Sequence, residues 1–269
     1  MYDVIVIGGG ASGMMAGVVA AERGKRVCIL EKNRSLGEKL KITGGGRCNI
    51  TNAEEDLHVL LKNYGAAKDF LYSAFSQFGV KETFAFFESR GLPLVVQARK
   101  RAFPATEKAL DVYLTLKQAL DKAGVECKTN CTVQKIQHRD GRIEGVITSK
   151  GLFQAAAYIL ATGGMSHPEI GSTGDGFKWL SDLGHTVKAA TPTIVPLAVE
   201  DPWVKALAGV SLSFMKIIFY LDGKKQFSKT GKVIFTHFGL SGPLILNSAG
   251  KVAELLEGGQ VTACIDMFP

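Results

Sequence analysis

Between Val4 and Glu31 the chain runs through an apolar stretch, a glycine turn, a helix-forming stretch and a second apolar run, and this segment constrains the fold more than any other. Val4-Ile5-Val6-Ile7 is β-branched throughout and too short for a helix, and Gly8-Gly9-Gly10-Ala11-Ser12-Gly13 follows with no linker. From Ala11 to Arg23 the residues are small or good helix formers, Gly24 is placed to end the helix, and Arg26 to Glu31 reads as a second strand ending in an acid. A βαβ unit with this turn is a dinucleotide fingerprint. Gly8 permits the tight turn, Gly10 lets the backbone approach a pyrophosphate, and Gly13 lets the helix press against the strand. The diphosphate would rest on the free N–H groups of Ala11, Ser12 and Gly13 at the positive end of the helix. Glu31 is placed to accept hydrogen bonds from a ribose diol, and an acid there argues against a 2′-phosphate.

The chain has 269 residues, 46% of them hydrophobic and 21% charged, with 31 glycines, which suits an α/β protein of one large or two modest domains. No apolar stretch is long enough for a membrane span, and the expected location is cytoplasmic. Five cysteines include no CxxC pair, and Cys127 and Cys131 suit neither a zinc knuckle nor a redox pair, so reduced thiols and no metal are expected. The net charge is +7, and eight Lys and Arg residues stand against three Glu between Glu22 and Asn49. Much of the excess therefore lies beside the dinucleotide fingerprint. No nucleic-acid recognition module accompanies it, which argues against a nucleic-acid surface.

The run from Lys32 to Asn52 is read as a loop, because three consecutive glycines forfeit too much backbone entropy unless a ligand or a close approach requires them. It would form a second wall of the same site, its backbone N–H groups joined by Lys39 and Arg47 as donors to a diphosphate or a polar ring edge. A mobile surface loop is the alternative. The pairing of Gly8-Gly9-Gly10-Ala11-Ser12-Gly13 with Gly37-Glu38-Lys39-Leu40 and Thr43-Gly44-Gly45-Gly46-Arg47-Cys48-Asn49-Ile50-Thr51-Asn52 resembles the BaiN-type, aminoacetone-oxidase-like family of FAD-dependent oxidoreductases. The resemblance implies FAD rather than NAD in the first site. It also adds Lys32, Gly45, Gly46, Cys48 and Asn49 to the cofactor wall. With no partner cysteine nearby in sequence, Cys48 is read as structural or cofactor-contacting rather than redox-active.

Aromatic residues recur at helical spacing from Ala66 to Gly91, which predicts two core helices broken at Gly79. An irregular hairpin to Pro104, a helix from Glu107 to Ala123 and a strand from Val125 to Cys127 follow. Thr132 to Ile147 alternates as a meander turned at Asp140-Gly141; in flavoproteins of this type the backbone at the position of Val133 grips the adenine. Tyr158 to Gly164 is expected as a buried strand, and its Ala161-Thr162-Gly163 resembles the turn that closes over FAD. Gly171 to Gly176 opens a helix, and the resemblance puts it near the cofactor; an N-cap at Asp175 is the plain reading. Thr191-Pro192 and Val195-Pro196 mark a boundary. The expected architecture is thus α/β, with a Rossmann-like FAD-binding domain of glutathione-reductase type over 1–190 and a β-rich second domain over 191–269. In the latter, Thr236 to Pro243 matches a family motif and opens a helix, with His237 read as structural. The resemblance reaches Pro269, where the family continues into a helical domain and a C-terminal return to the FAD domain.

These readings make the chain part of an FAD-dependent oxidoreductase acting on a small organic substrate, as an amine oxidase or an NAD(P)H-linked reductase. No catalytic residue can be named. No Ser-His-Asp set or paired acids compete with flavin chemistry, and no second fingerprint follows a strand, so NAD(P)H would bind without a dedicated domain. A tRNA-modifying flavoprotein and a non-catalytic nucleotide-binding fragment are the alternative classes.

Overall fold

The computed structural model describes residues 1–191 and 193–267. The chain divides into two compact units, Met1–Val187 and Lys188–Pro269. In the first unit β1 (Tyr2–Ile7) leads through α1 (Ala11–Glu22) into β2 (Val27–Leu30), followed by α2 (Glu38–Gly46) and a short strand, β3 (Thr51–Asn52). Helices α3 (Leu57–Lys62), α4 (Lys68–Gln77) and α5 (Val80–Glu88) precede the hairpin of β4 (Leu94–Gln97) and β5 (Arg101–Pro104), onto which β3 adds. Helix α6 (Ala109–Lys122) crosses to β6 (Glu126–Lys128), the meander β7 (Val133–Arg139), β8 (Arg142–Thr148) and β9 (Gly151–Phe153) follows, and β10 (Ala155–Leu160) and α7 (Asp175–Asp182) complete the unit.

The main sheet is parallel throughout, in the order β10-β1-β2-β6, with Ile5 paired to Cys28 on one side and Tyr158 on the other. Its strands alternate between two cores. Val6 and Ile29 face Met14 and Val18 of α1 and Leu116 and Leu120 of α6; Ile5, Ile7, Cys28 and Leu30 face Val133, Ile136, Val146 and Trp179. Burial on both faces is why β1 and β2 read as unbroken apolar runs. The carboxyl ends of β1, β2 and β10 meet above this sandwich, where a doubly covered sheet places its ligands.

Three local expectations change. The strand expected to be buried before Gly164 is the sheet edge, so Ala156 and Ala157 are exposed and Tyr158 to Leu160 only half-buried. The aromatic stripe divides: α5 buries Phe86 and Phe87, whereas α4 buries no residue and leaves Phe70 86% exposed. Helix α4 packs on α3, and the ring of Tyr64, just after α3, lies 5.4 Å from that of Phe75. The run from Lys32 to Asn52 is not all loop. Leu36 and Leu40 anchor it in the core, and helical backbone runs from Glu38 to Ile42 before Thr43 turns extended and Gly44 and Gly45 turn left-handed.

The second unit is an antiparallel sheet in the order β11 (Leu197–Ala198), β14 (Gly239–Ser241), β13 (Lys224–Thr236), β12 (Ser211–Leu221), β15 (Val261–Asp266), with α8 (Pro202–Ala206), α9 (Pro243–Leu246) and α10 (Ala249–Leu256) in its loops. Asp222 and Gly223, both at positive φ, turn β12 into β13. Ile217, Phe219, Val233 and Phe235 pack against Leu244, Ile245 and Val252. The motif from Thr236 to Pro243 forms β14 before Pro243 starts α9 at its first position. Val195 and Pro196 lie just before β11, and Pro192 lies outside the described residues.

Candidate functional site

The turn after β1 is built by contact. Gly8 has φ +104°, and a Cβ there would lie 2.5 Å from the Ala161 carbonyl oxygen; one on Gly13 would lie 1.8 Å from the Gly8 carbonyl oxygen. Both therefore bring α1 and the end of β10 onto the turn. Gly10 differs, because a Cβ there would meet nothing within 4 Å. It opens on a cavity of about 590 Å³ that lies wholly within the first unit, a size ordinary for a ligand pocket. Gly10 is also the N-cap of α1, and no side chain caps the helix, so its first-turn N–H groups and positive dipole end are left for a ligand.

Glu31 lies at the carboxyl end of β2 and is 6% exposed. Its Oε2 accepts from the Gly9 N–H at 2.7 Å and its Oε1 from the Asn33 N–H at 2.8 Å. Each carboxylate oxygen has a second acceptor position, which leaves capacity for a ribose diol on the cavity wall. The Cys131 N–H bonds to the Glu31 carbonyl at 2.9 Å and the Asn130 N–H to the Asn33 carbonyl at 2.9 Å, which carries Val133 to the same wall. Gly8, Ala11, Ser12, Ala161, Thr162, Gly163, Lys32, Lys39, Cys48 and Asn49 also line the cavity. Lys32 pairs with Asp175 at 3.0 Å. The Thr173 hydroxyl and then Lys32 hold the Asp175 carboxyl below the ordinary aspartate range.

Four of the residues singled out in the sequence do not line this cavity. Gly13 is taken up by helix-to-strand contact, and Gly45, Gly46 and Arg47 are not among the lining residues. The Arg47 guanidinium instead lies 4.8 Å over the Phe103 ring and 3.8 Å from Glu107. Cys48, at φ +59°, is 3% exposed, and burial pushes its thiol up to about 11. It is a protonated apolar wall group at neutral pH, unlike an activated thiolate. Asp175 is the first residue of α7, and Gly174 is the N-cap. His237 is exposed in the second unit, edge-on to Phe238. Sequence reasoning missed Asn33, Thr43 and an apolar wall of Met15, Leu40, Phe87, Val112 and Leu116. The wall residues carry only the helical periodicity of core residues, so no sequence signal separated them from the core.

The family model described as HI0933-like protein Rossmann domain matches residues 2–255. The chain belongs to this family. Members of the HI0933-like family are FAD-dependent oxidoreductases, and FAD is the cofactor of this domain. Among curated proteins the chain is 32% identical over all its length to a 3-dehydro-bile acid delta(4,6)-reductase of Clostridium scindens, of which it covers 65%. It is 29% identical over 90% of its length to a ribosomal RNA dihydrouridine synthase of Haemophilus influenzae, of which it covers 59%. The chain thus spans about three-fifths to two-thirds of the length of these relatives. Among solved structures, the open conformation of a flavocytochrome c3 fumarate reductase aligns with a TM-score of 0.57 at 19% identity, over 79% of this chain and 47% of that one. The Sdh1 complex of Mycobacterium smegmatis aligns with a TM-score of 0.55 at 21% identity, over 68% and 39%. At these identities the structures share the fold.

The residues present fit FAD. A diphosphate needs an uncapped helix N-terminus with no Cβ in its way, which Gly10 and α1 supply, and a ribose needs a buried acceptor, which Glu31 supplies. Among the described residues no helix is long and apolar enough to cross a membrane.

Proposed function

We propose that the chain forms the cofactor-holding part of an oxidoreductase that acts on a small, largely apolar organic molecule, in the direction of reduction. The observation that carries this is the open space at Gly10 beside an uncapped α1 and the buried Glu31 carboxylate in one cavity. The first-turn N–H groups of α1 hold the diphosphate, Glu31 orients the ribose, and the backbone near Val133 borders the base. The bound flavin supplies the electron-transfer chemistry. Met15, Leu40, Phe87, Val112 and Leu116 line the cavity with apolar side chains that exclude water from its inner end. The reductase named among the relatives supports the direction. The test is to purify the protein, titrate it with FAD, and follow anaerobic bleaching against NADH, NADPH and small amines. A protein that stays colourless and takes up no FAD sinks the reading; saturable bleaching by amines but not by nicotinamides reverses its direction.

A second reading, flavin-dependent modification of RNA, is supported by the relatives named ribosomal RNA dihydrouridine synthase and by the net charge of +7. Salt-sensitive retention of ribosomal RNA on a filter would favour it over the first.

A further inference from the structure

The stretch after β2, through the first turn of α2, and the segment after β10 are fastened together along the rim of the cavity. Lys32 Nζ donates to Thr173 Oγ1 at 2.7 Å and to Asp175 Oδ2 at 3.0 Å, and Asn33 Nδ2 donates to the Ile170 carbonyl at 3.0 Å. Lys39 Nζ donates to the Ser166 carbonyl and the Ser172 hydroxyl. Every acceptor lies on residues 166–175, and 170–175 line the cavity. The segment makes one 3-10 turn at Pro168–Ile170 and has glycines at positive φ near both ends, Gly163 at +73° and Gly174 at +81°. Beyond those glycines it is held by β10 on one side and by the buried Trp179 of α7 on the other.

Lys39 could serve such a cavity in two ways. An ammonium aimed at a diphosphate compensates charge; an ammonium whose protons are taken by a carbonyl and a hydroxyl of one segment fastens that segment. The bonds made by Lys39 are of the second kind. Gly171, at φ +110°, lies directly under the Asn33 and Lys32 side chains: a Cβ there would lie 2.8 Å from Asn33 Nδ2 and 3.3 Å from Lys32 Cε.

We propose that Lys32, Asn33 and Lys39 form a latch that holds residues 166–175 against the rim of the dinucleotide cavity, with Lys39 a positioning residue that acts through Ser172. The strength of this latch sets how long the cofactor stays. The proposal rests on the FAD reading above for its ligand but not for its contacts.

The test compares the wild-type protein with Lys39→Met, Ser172→Ala, the double variant and Lys39→Arg. Two quantities are read: the FAD release rate, from fluorescence recovery at low and high salt, and proteinase K cleavage within 163–174 of FAD-free protein, from mass spectrometry. Each single variant is expected to release FAD about tenfold faster, the worth of one charge-assisted hydrogen bond. Lys39→Met also loses the bond to the Ser166 carbonyl, so it should be at least as fast as Ser172→Ala, and the double variant should be no faster than Lys39→Met, which has already lost the bond to Ser172. Lys39→Arg should restore slow release, the effect should persist at high salt, and cleavage within the segment should rise in Lys39→Met without a change in melting temperature. Additive effects, or a Lys39→Met effect that vanishes at high salt, would overturn the latch and assign Lys39 to the diphosphate directly. Should the wild type bind no FAD, the FAD reading fails by itself and the cleavage comparison alone decides the latch: unchanged cleavage overturns it.

Discussion

In the turn after β1 a Cβ on Gly8, Gly9 or Gly13 would lie 2.5, 2.3 or 1.8 Å from Ala161, Leu36 or the Gly8 backbone, whereas on Gly45 or Gly46 it would meet nothing within 4 Å. Both stretches are glycine-rich, the first at the start of α1 and the second at the end of α2. The first uses glycine for close approach, between elements at Gly8, Gly9 and Gly13 and toward a ligand at Gly10. The second uses it for backbone angle, with φ of +59°, +66° and +85° at Gly44, Gly45 and Gly46; only at Gly44 would a Cβ have a neighbour within 4 Å, the Asn49 nitrogen at 3.3 Å. A glycine run therefore has two physical meanings that composition cannot separate, and substitution can.

The largest effect is expected at Gly13. Gly13→Ala drives a methyl group into the Gly8 carbonyl, where only backbone can yield, so a loss of about 3 kcal/mol or more and a lower thermal midpoint by circular dichroism are expected. Glu31→Ala comes next. It leaves the Gly9 and Asn33 N–H groups without their acceptor, at a cost of about 2–3 kcal/mol in stability, and weakens FAD as well. Gly10→Val separates binding from folding: the melt should stay within about 0.5 kcal/mol of wild type, while FAD affinity, measured by titration, falls at least about tenfold. A destabilised Gly10→Val would place Gly10 with its neighbours and dissolve the distinction. The smallest effects belong to the second stretch. Gly45→Val should cost about 1–2 kcal/mol of backbone strain, and Gly45→Asn, which tolerates the left-handed region, much less, with FAD affinity unchanged in both. Loss of FAD in Gly45→Asn with an intact melt would show that this turn touches the cofactor after all.

The first stretch was legible because its three steric demands fall at fixed spacing between two apolar runs, and the same spacing made Glu31 readable at the end of β2. The second was half legible. Three glycines announce an unusual backbone, but nothing in Thr43 to Arg47 says what it packs against, and Arg47 is drawn to Phe103 and Glu107 from distant parts of the chain. The same limit explains Phe70. Helical spacing showed that α4 has an apolar stripe, while the absence of a covering element among the described residues is a property of topology. Lys39 was legible as a cavity residue and not as a tie to Ser172, since a pairing across 133 positions leaves no local trace.

That separation also has a temporal side. The bond from Gly9 to Glu31 spans 22 positions, whereas those from Lys32, Asn33 and Lys39 span 127 to 143. Closing the longer loops costs about 1.6 kcal/mol more chain entropy. During synthesis at about 5–20 residues per second, the ribosome needs roughly 7 to 27 s to travel from Lys39 to Ser172. The residues from Gly8 to Glu31 are thus all made while the strap that will cross the rim has yet to be synthesised, and pulse-labelled hydrogen exchange should find the Gly9 amide protected before those of residues 166–175.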